Sequence, residues 1–253
     1  MFTSDKPNLG TPKKVYRIEA DEVVLNDETI FRDLSCEFKA GEWTCIMGVS
    51  GVGKTTLLKL IANLIPPSKS NNIRGQRGDN FTGQVAYMAQ HDLLLPWLNV
   101  IENVLLGERL RRQNYSISRA KFLLEEFGLG DQLESNISTL SGGMRQRVSL
   151  ARTMIENKPI ILMDEPFSAL DTINRVKIQD VAFKFLSEHT VLLVTHDPLE
   201  AFRVAHNIVL ISGTPAKLKE TIRPTGHPIR SIKDPNLLRE HAELLDNLKS
   251  LST

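Results

Sequence analysis

Three stretches of this chain carry residue types whose spacing points to chemistry. The first, Gly48-Val49-Ser50-Gly51-Val52-Gly53-Lys54-Thr55, has the G-x-x-x-x-G-K-[ST] form of a phosphate-binding loop. Its glycines let the backbone turn tightly and approach a polyphosphate, so that successive amide N–H groups and the start of a helix point at negative charge. Lys54 adds a mobile charge for the β/γ phosphates, and Thr55 offers a hydroxyl for Mg²⁺. The second, Met163-Asp164-Glu165-Pro166, ends an apolar run, where a carboxylate is unfavourable unless a cation needs it. Beside a phosphate loop, Asp164 is placed to hold Mg²⁺ directly or through water, and Glu165 to polarise the water that attacks a γ-phosphate. Without that loop the same pair reads as a helix cap or an exposed turn. The third, Leu140-Ser141-Gly142-Gly143-Met144-Arg145-Gln146-Arg147, opens a helix that Ser141 can cap and whose apolar stripe runs Met144, Val148, Ala151, Ile155. Gly142 and Gly143 leave the first amides bare, which makes a second anion site; an ordinary capped helix with a basic face fits the same residues.

These stretches need elements to hold them. Trp43 to Met47 reads as a short buried strand ahead of the phosphate loop, and Leu57, Leu58, Ile61, Leu64 and Ile65 carry helix spacing behind it until Pro66-Pro67. Upstream, Ile30, Leu34, Cys36 and Phe38 alternate, with a turn signal at Asn26-Asp27, so residues 15–38 are expected as antiparallel strands. Residues 66–82, rich in Pro, Ser, Asn and Gly, are expected as an exposed connection. Residues 84–89 make a strand candidate that ends at Gln90, and from His91 to Lys158 the apolar residues fall at helical spacing. Three runs follow at 160–163, 191–194 and 208–211, continuously apolar as parallel strands buried on both faces are. The expected organisation is an α/β core from 1–90 and 159–212 with an antiparallel β part, a helical subdomain inserted at 91–158, and a helical tail from 213–253. In that tail Asp234 caps and Pro235 starts a helix carrying Leu238, Ala242, Leu245 and Leu248, packed on the core.

Composition narrows the classes. With 253 residues and 41% hydrophobic content the chain can bury a core, and 31 Lys+Arg against 30 Asp+Glu leave a net charge of +1. That balance argues against nucleic acid as a partner and gives no bulk attraction to a membrane. The two cysteines, Cys36 and Cys45, match no metal or disulfide spacing and read as core thiols. No secretory signal is visible in 1–16, and no stretch approaches the ~20 apolar residues of a membrane span, so a cytosolic location is expected.

Leu140 to Gln146 resembles the signature of ATP-binding cassette (ABC) ATPases, and it stands between a phosphate loop and an acid pair in that family's order. Further matches are Gln90 to the Q-loop, Ser168-Ala169-Leu170-Asp171 to the D-loop, His196 after Val191 to Thr195 to the switch histidine, and Asp164-Glu165 to the Walker B pair. The resemblance covers about 14–212 and implies a P-loop NTPase core of RecA-like type with a mostly parallel sheet, an N-terminal antiparallel β part and the inserted helices. By the same resemblance Gly48, Ser50, Gly51, Gly53, Lys54, Thr55 and Thr56 hold the phosphates of ATP, and Thr55, Gln90 and Asp164 hold Mg²⁺. Glu165 is the implied catalytic base, Gln90 contacts the attacking water, and His196 holds the γ-phosphate while positioning that water. Ser141, Gly142 and Gly143 close over ATP bound to an opposite subunit and Asp171 communicates across that interface, so hydrolysis implies a head-to-tail homodimer or a pair of such subunits. One position departs from the pattern. Where the family stacks adenine on an aromatic residue this chain has Leu25, with Tyr16 and Phe31 the nearest aromatics, which implies weak base stacking and poor discrimination between ATP and GTP.

Pro166 and Phe167 after the acid pair look like prokaryotic importers rather than exporters, and residues 91–104 after Gln90 resemble importers of nitrate, sulfonates, taurine and thiamine-pyrimidine precursors. Leu94-Leu95-Pro96-Trp97 is a buried-looking cluster that, by resemblance, lines the groove for a coupling helix of a membrane permease. The implied partners are paired permease subunits and, indirectly, an extracellular or periplasmic solute-binding protein, with the chain peripheral on the cytoplasmic side. A non-transport ABC ATPase and an ABC exporter ATPase are the rival readings; the single cassette and the lack of heptads weigh against the first.

Overall fold

The computed structural model of the chain describes residues 14–65, 74–75, 81–112 and 114–250. The stretch read for a secretory signal and the connection expected at 66–82 lie mostly outside the described residues.

A six-stranded sheet carries the molecule, built from β3 (Trp43–Gly48), β5 (Val85–Met88), β6 (Ile160–Asp164), β7 (Thr190–Val194), β8 (Asn207–Ser212) and β9 (Lys217–Ile222) in the order β5-β6-β7-β3-β8-β9. All neighbours run parallel except β8 and β9. The register puts Ile46 beside Val194, Val194 beside Asp164, and Met163 beside Met88. Four strands therefore end in one row, with the phosphate loop, Thr195-His196, Glu165 and Gln90 just past their carboxyl ends. That edge is where open parallel sheets place their ligands.

Alternate residues of the central strands supply two cores. Cys45, Met47, Met163, Leu193 and Leu210 face α2 (Val100–Leu110), α3 (Ile117–Glu126), α4 (Gly142–Ile155), α5 (Thr172–Phe185), α6 (Pro198–Val204) and α7 (Pro235–Ser250). Ile46, Leu162, Leu192, Val194 and Ile211 face α1 (Lys54–Ile61) and the hairpin of β1 (Val15–Leu25) and β2 (Glu28–Lys39). Burial on both faces is why these strands read as unbroken apolar runs. The hairpin turns at Asn26 and Asp27, both with positive φ, the conformation a two-residue β-turn between twisted strands demands. A short β4 (Arg74–Gly75) adds to β1 in this second, antiparallel sheet.

Three expectations are corrected. Residues after 212 do not form a purely helical tail: β9 first pairs antiparallel with β8, because the turn at Gly213, φ +96°, sends the chain back along the sheet edge. The tail helix packs on the core through Leu237 and Leu244, with Leu238 exposed and Leu245 half-buried, so its buried stripe is one residue out from the expected one. Nothing is assigned to Leu248, whose side chain lies outside the described residues. The helix behind the phosphate loop ends at Ile61 and not at Ile65, since Asn63 takes φ +57° and leaves Leu64 exposed.

Candidate nucleotide site

Gly48 ends β3 so close to β8 that a Cβ there would lie 2.3 Å from the Ile211 carbonyl oxygen. Gly53, φ +104°, precedes α1, and its missing Cβ leaves room for Ile30 and Phe31 of the hairpin beneath the loop. No side chain caps α1 and no acid stands in its first turn, so its amides and dipole are open to an anion. Lys54 folds back on the loop, its Nζ donating to the carbonyls of Gly48 and Val49 at 2.9 Å each. Burial lowers its proton affinity, with Glu165 and Asp164 opposing that shift.

Thr55 Oγ1 donates to Asp164 Oδ2 at 2.6 Å, and burial raises the Asp164 carboxyl while this hydrogen bond and Lys54 draw it back. A hydroxyl and a buried carboxylate in contact at the mouth of a phosphate loop are the donor set that suits Mg²⁺, which takes few protein ligands and fills its octahedron with phosphate oxygens and water. No cage of three or more His, Cys, Asp or Glu side chains occurs among the described residues.

Glu165 has φ +51°, held by its amide donating to Val194 O at 2.9 Å and by its carbonyl, which accepts from Gln146 Nε2 at 3.0 Å and Ser168 Oγ at 3.0 Å. Its Oε1 lies 3.2 Å from His196 Nδ1, and the imidazole is largely exposed. A ring with Nδ1 on a carboxylate has Nε2 free to face a ligand. Lys54, Thr55, Asp164, Glu165 and His196 thus form one cluster across 143 positions of sequence, from 54 to 196. Gln90 is exposed at the same row of strand ends.

Ser141 caps α4, accepting from Met144 N at 3.3 Å, and both it and Gly142 face outward. Among the described residues no hydrogen bond or ion pair joins Ser141, Gly142 or Gly143 to residues 48–56. They meet the acid pair only through their helix: Gln146, buried on α4, also accepts from Ala169 N at 2.8 Å. Asp171 caps α5 through Asn174 N at 3.1 Å, and that backbone bond holds its carboxyl below the usual range.

The aromatics near the hairpin are not available to a base. Tyr16 is buried and stacks on Phe38 at 5.3 Å between centroids, and Phe31 is fully buried. Leu25 is half-buried at the end of β1. Beside the phosphate loop a cleft of about 400 Å³, walled by Thr29, Ile30, Gly51, Val52 and Pro215, has no aromatic side chain in its lining.

The loop after Gln90 corrects the expectation of a buried cluster: Leu94 is buried, but Trp97 is 74% and Leu93 63% exposed. The reason lies in polar groups the motif reading passed over. Arg145 pairs with Asp92 at 3.0 Å, and Arg152 donates to the carbonyls of Asp92 and Leu93 at 2.6 and 2.9 Å, turning Leu93 outward at φ +46°. Asn103, fully buried on α2, accepts from Leu95 N at 2.8 Å and donates to the carbonyls of Leu95, Leu98 and Asn99. A buried amide inside an apolar helix face was the one available sign of this role.

Residues 31–168 match the family described as ABC transporter. The chain is 37% identical over 237 residues to an ABC transporter ATP-binding protein of Haemophilus influenzae, covering 92% of this chain and 98% of that one. It is 40% identical over 226 residues to the aliphatic sulfonates import ATP-binding protein SsuB 1 of Rhodococcus jostii, covering 88% of each. The SsuB 1 of Pseudomonas savastanoi is 32% identical over 239 residues, covering 94% and 97%. The solved dimeric structure of MJ0796, a bacterial ABC transporter cassette, superposes with a TM-score of 0.71 at 26% identity over 84% of this chain and all of that one. With a phosphate loop, an acid pair and a signature helix held on one α/β scaffold, this chain belongs to the ABC transporter family as an ATP-binding ATPase subunit.

Proposed function

We propose that this chain powers the import of a small organic anion of the sulfonate class. The observation that carries the hydrolytic part is the cluster in which Thr55 meets Asp164 at 2.6 Å while Glu165 meets His196 at 3.2 Å. Lys54 and the amides of Gly48, Ser50, Gly51, Gly53, Thr55 and Thr56 bind the phosphates of ATP. Thr55, Asp164 and Gln90 would hold Mg²⁺, which would supply neutralisation of phosphate charge. Glu165 takes the proton of the attacking water, Gln90 orients that water, and His196 directs Nε2 at the γ-phosphate. Because, among the described residues, no hydrogen bond or ion pair joins Ser141, Gly142 or Gly143 to their own phosphate loop, we read the signature as serving the site of a second copy, head to tail, with Asp171 at the interface. Closure then depends on ATP, since only the closed pair makes those contacts.

The nucleotide-binding domain spans 1–212, with 91–158 as its helical subdomain. The exposed Leu93 and Trp97 receive a helix of a permease subunit, which places the chain on the cytoplasmic side of the membrane, and a solute-binding protein delivers the cargo. Among the described residues no helix is long and apolar enough to cross a membrane. The sulfonate class rests on relatives named for aliphatic sulfonate import.

Glu165→Gln is expected to keep ATP binding, lower phosphate release by about 10²–10⁴-fold and accumulate a dimer in MgATP, read by light scattering. Turnover at the original rate removes Glu165 as base; a protein that stays monomeric even with its permease removes the paired site. Uptake of labelled alkanesulfonate by the reconstituted complex tests the cargo.

A further inference from the structure

Beside the Glu165–His196 pair lies a small, partly open cavity of about 20 Å³, lined among others by Glu165, Arg175, Thr195, His196, Asp197 and Glu200. That is room for one water. Two of these side chains present a buried polar atom with no protein partner among the described residues, Arg175 Nε and Glu200 Oε1. The rest of each group is engaged. Arg175 donates from Nη1 to Asp197 Oδ2 at 3.0 Å and from Nη2 to Leu170 O at 3.1 Å. Glu200 Oε2 accepts from Gln179 Nε2 at 3.3 Å. Leu170 immediately precedes the α5 cap Asp171, and Asp197 immediately follows His196 and caps α6. Buried polar atoms seldom stay unpaired, and one water in a space lined by both side chains can accept from Arg175 and pair with the Glu200 carboxyl in either protonation state.

We propose that Arg175 and Glu200, bridged by one buried water in this cavity, are positioning residues that tie the 168–171 turn to the His196 loop, so that a shift of the turn moves the imidazole against Glu165. This rests on the hydrolytic reading above. An arginine suits the task because its planar fork holds Leu170, Asp197 and the water at once. The link is sensitive to charge. Burial pushes the Glu200 carboxyl up to about 8, the Thr195 hydroxyl and Gln179 amide draw it back, and Asp197 raises it further. Facing Glu200 are Asp197 from the turn before its own helix, Arg175 and Gln179 on α5, Thr195 after β7, and the Cys45 thiol on β3; Arg203 reaches it through Gln179 at 3.0 Å. At pH 7 the carboxyl is protonated and donates within the network. Above about 8 it becomes an anion beside Asp197, the two compete for Arg175, and the hold on Leu170 loosens.

ATP hydrolysis by the unaltered chain, measured first, tests the hydrolytic reading separately. Arg175→Lys is expected to lower kcat about tenfold with KM for MgATP within about twofold, because the phosphate loop is untouched while the His196 loop loses its tether. Unchanged kcat, or a rise in KM alone, overturns the proposal. Wild-type kcat should fall about tenfold from pH 7 to 9 with the protonated fraction of a group near 8, and Glu200→Gln, which cannot ionise, should stay flat over that range. The same fall in Glu200→Gln overturns the proposal. Crystallography gives a readout independent of turnover: one ordered water within hydrogen-bond distance of Arg175 Nε and Glu200 Oε1 is expected, and a dry cavity refutes the bridge.

Discussion

Asn103 offers the sharpest quantitative test of how the exposed Leu93–Trp97 surface is held. Leucine keeps the branching and heavy-atom count of asparagine with bulkier methyl groups, so no cavity is left and the polar loss sets a lower bound on the cost. Four hydrogen bonds disappear, but their consequences differ. The Leu95 carbonyl still accepts from Leu98 N at 3.2 Å and the Asn99 carbonyl from Asn103 N at 3.0 Å. Leu95 N and Leu98 O are the groups left without a partner among the described bonds. Both residues are half-buried, so water reaches them in part, and each costs about 1 kcal/mol, the low end for a stranded polar group. Asn103→Leu should therefore destabilise by at least about 2 kcal/mol and lower Tm by at least about 4 °C for a chain of this length. Urea denaturation and calorimetry read both. Asn103→Asp should be worse at pH 7, about 3 kcal/mol or more, since a buried carboxylate then faces three carbonyls. Burial raises that acid's folded-state proton affinity, so the deficit shrinks as pH falls toward its unfolded value and grows as pH rises. A loss within about 0.5 kcal/mol for Asn103→Leu, the range of an inert surface change, would refute the reasoning, as would an Asp variant milder than the Leu variant.

Two further outcomes follow from the site. Gly48→Ala sets a methyl 2.3 Å from a backbone oxygen of the neighbouring strand, which no rotamer can relieve, so β3 and β8 must part at the root of the phosphate loop. The expected result is a loss of about 1–3 kcal/mol, the range for overpacking, together with weakened ATP binding by fluorescent-nucleotide titration; unchanged affinity would show that the loop tolerates the shift. Leu25→Tyr should tighten ATP by at least about fivefold, the lower bound for one aromatic stack on a base, and widen the ratio of GTP to ATP dissociation constants; equal constants before and after would show that another residue holds the base.

Motifs whose geometry is made by consecutive residues were open to reading: the glycine loop with Lys54 and Thr55, the Ser141 cap with its Met144, Val148, Ala151 stripe, and the apolar runs of β6, β7 and β8. Each depends on backbone turns or periodicity within a few residues, and that information is local. Resemblance supplied the family and the residues to watch, because its motif order is also a property of the line of sequence. Tertiary structure decided what depends on pairing across distance. Parallel register set Val194 between Ile46 and Asp164 and so carried His196 to 3.2 Å from Glu165. Packing buried Tyr16 against Phe38 while Asn103 and Arg152 turned Trp97 and Leu93 outward, although all four look equally apolar in sequence. It also brought Arg175 and Glu200 to one water-sized space. No period or propensity encodes those meetings, since they arise from the order in which strands assemble and from which side chains must then share a partner.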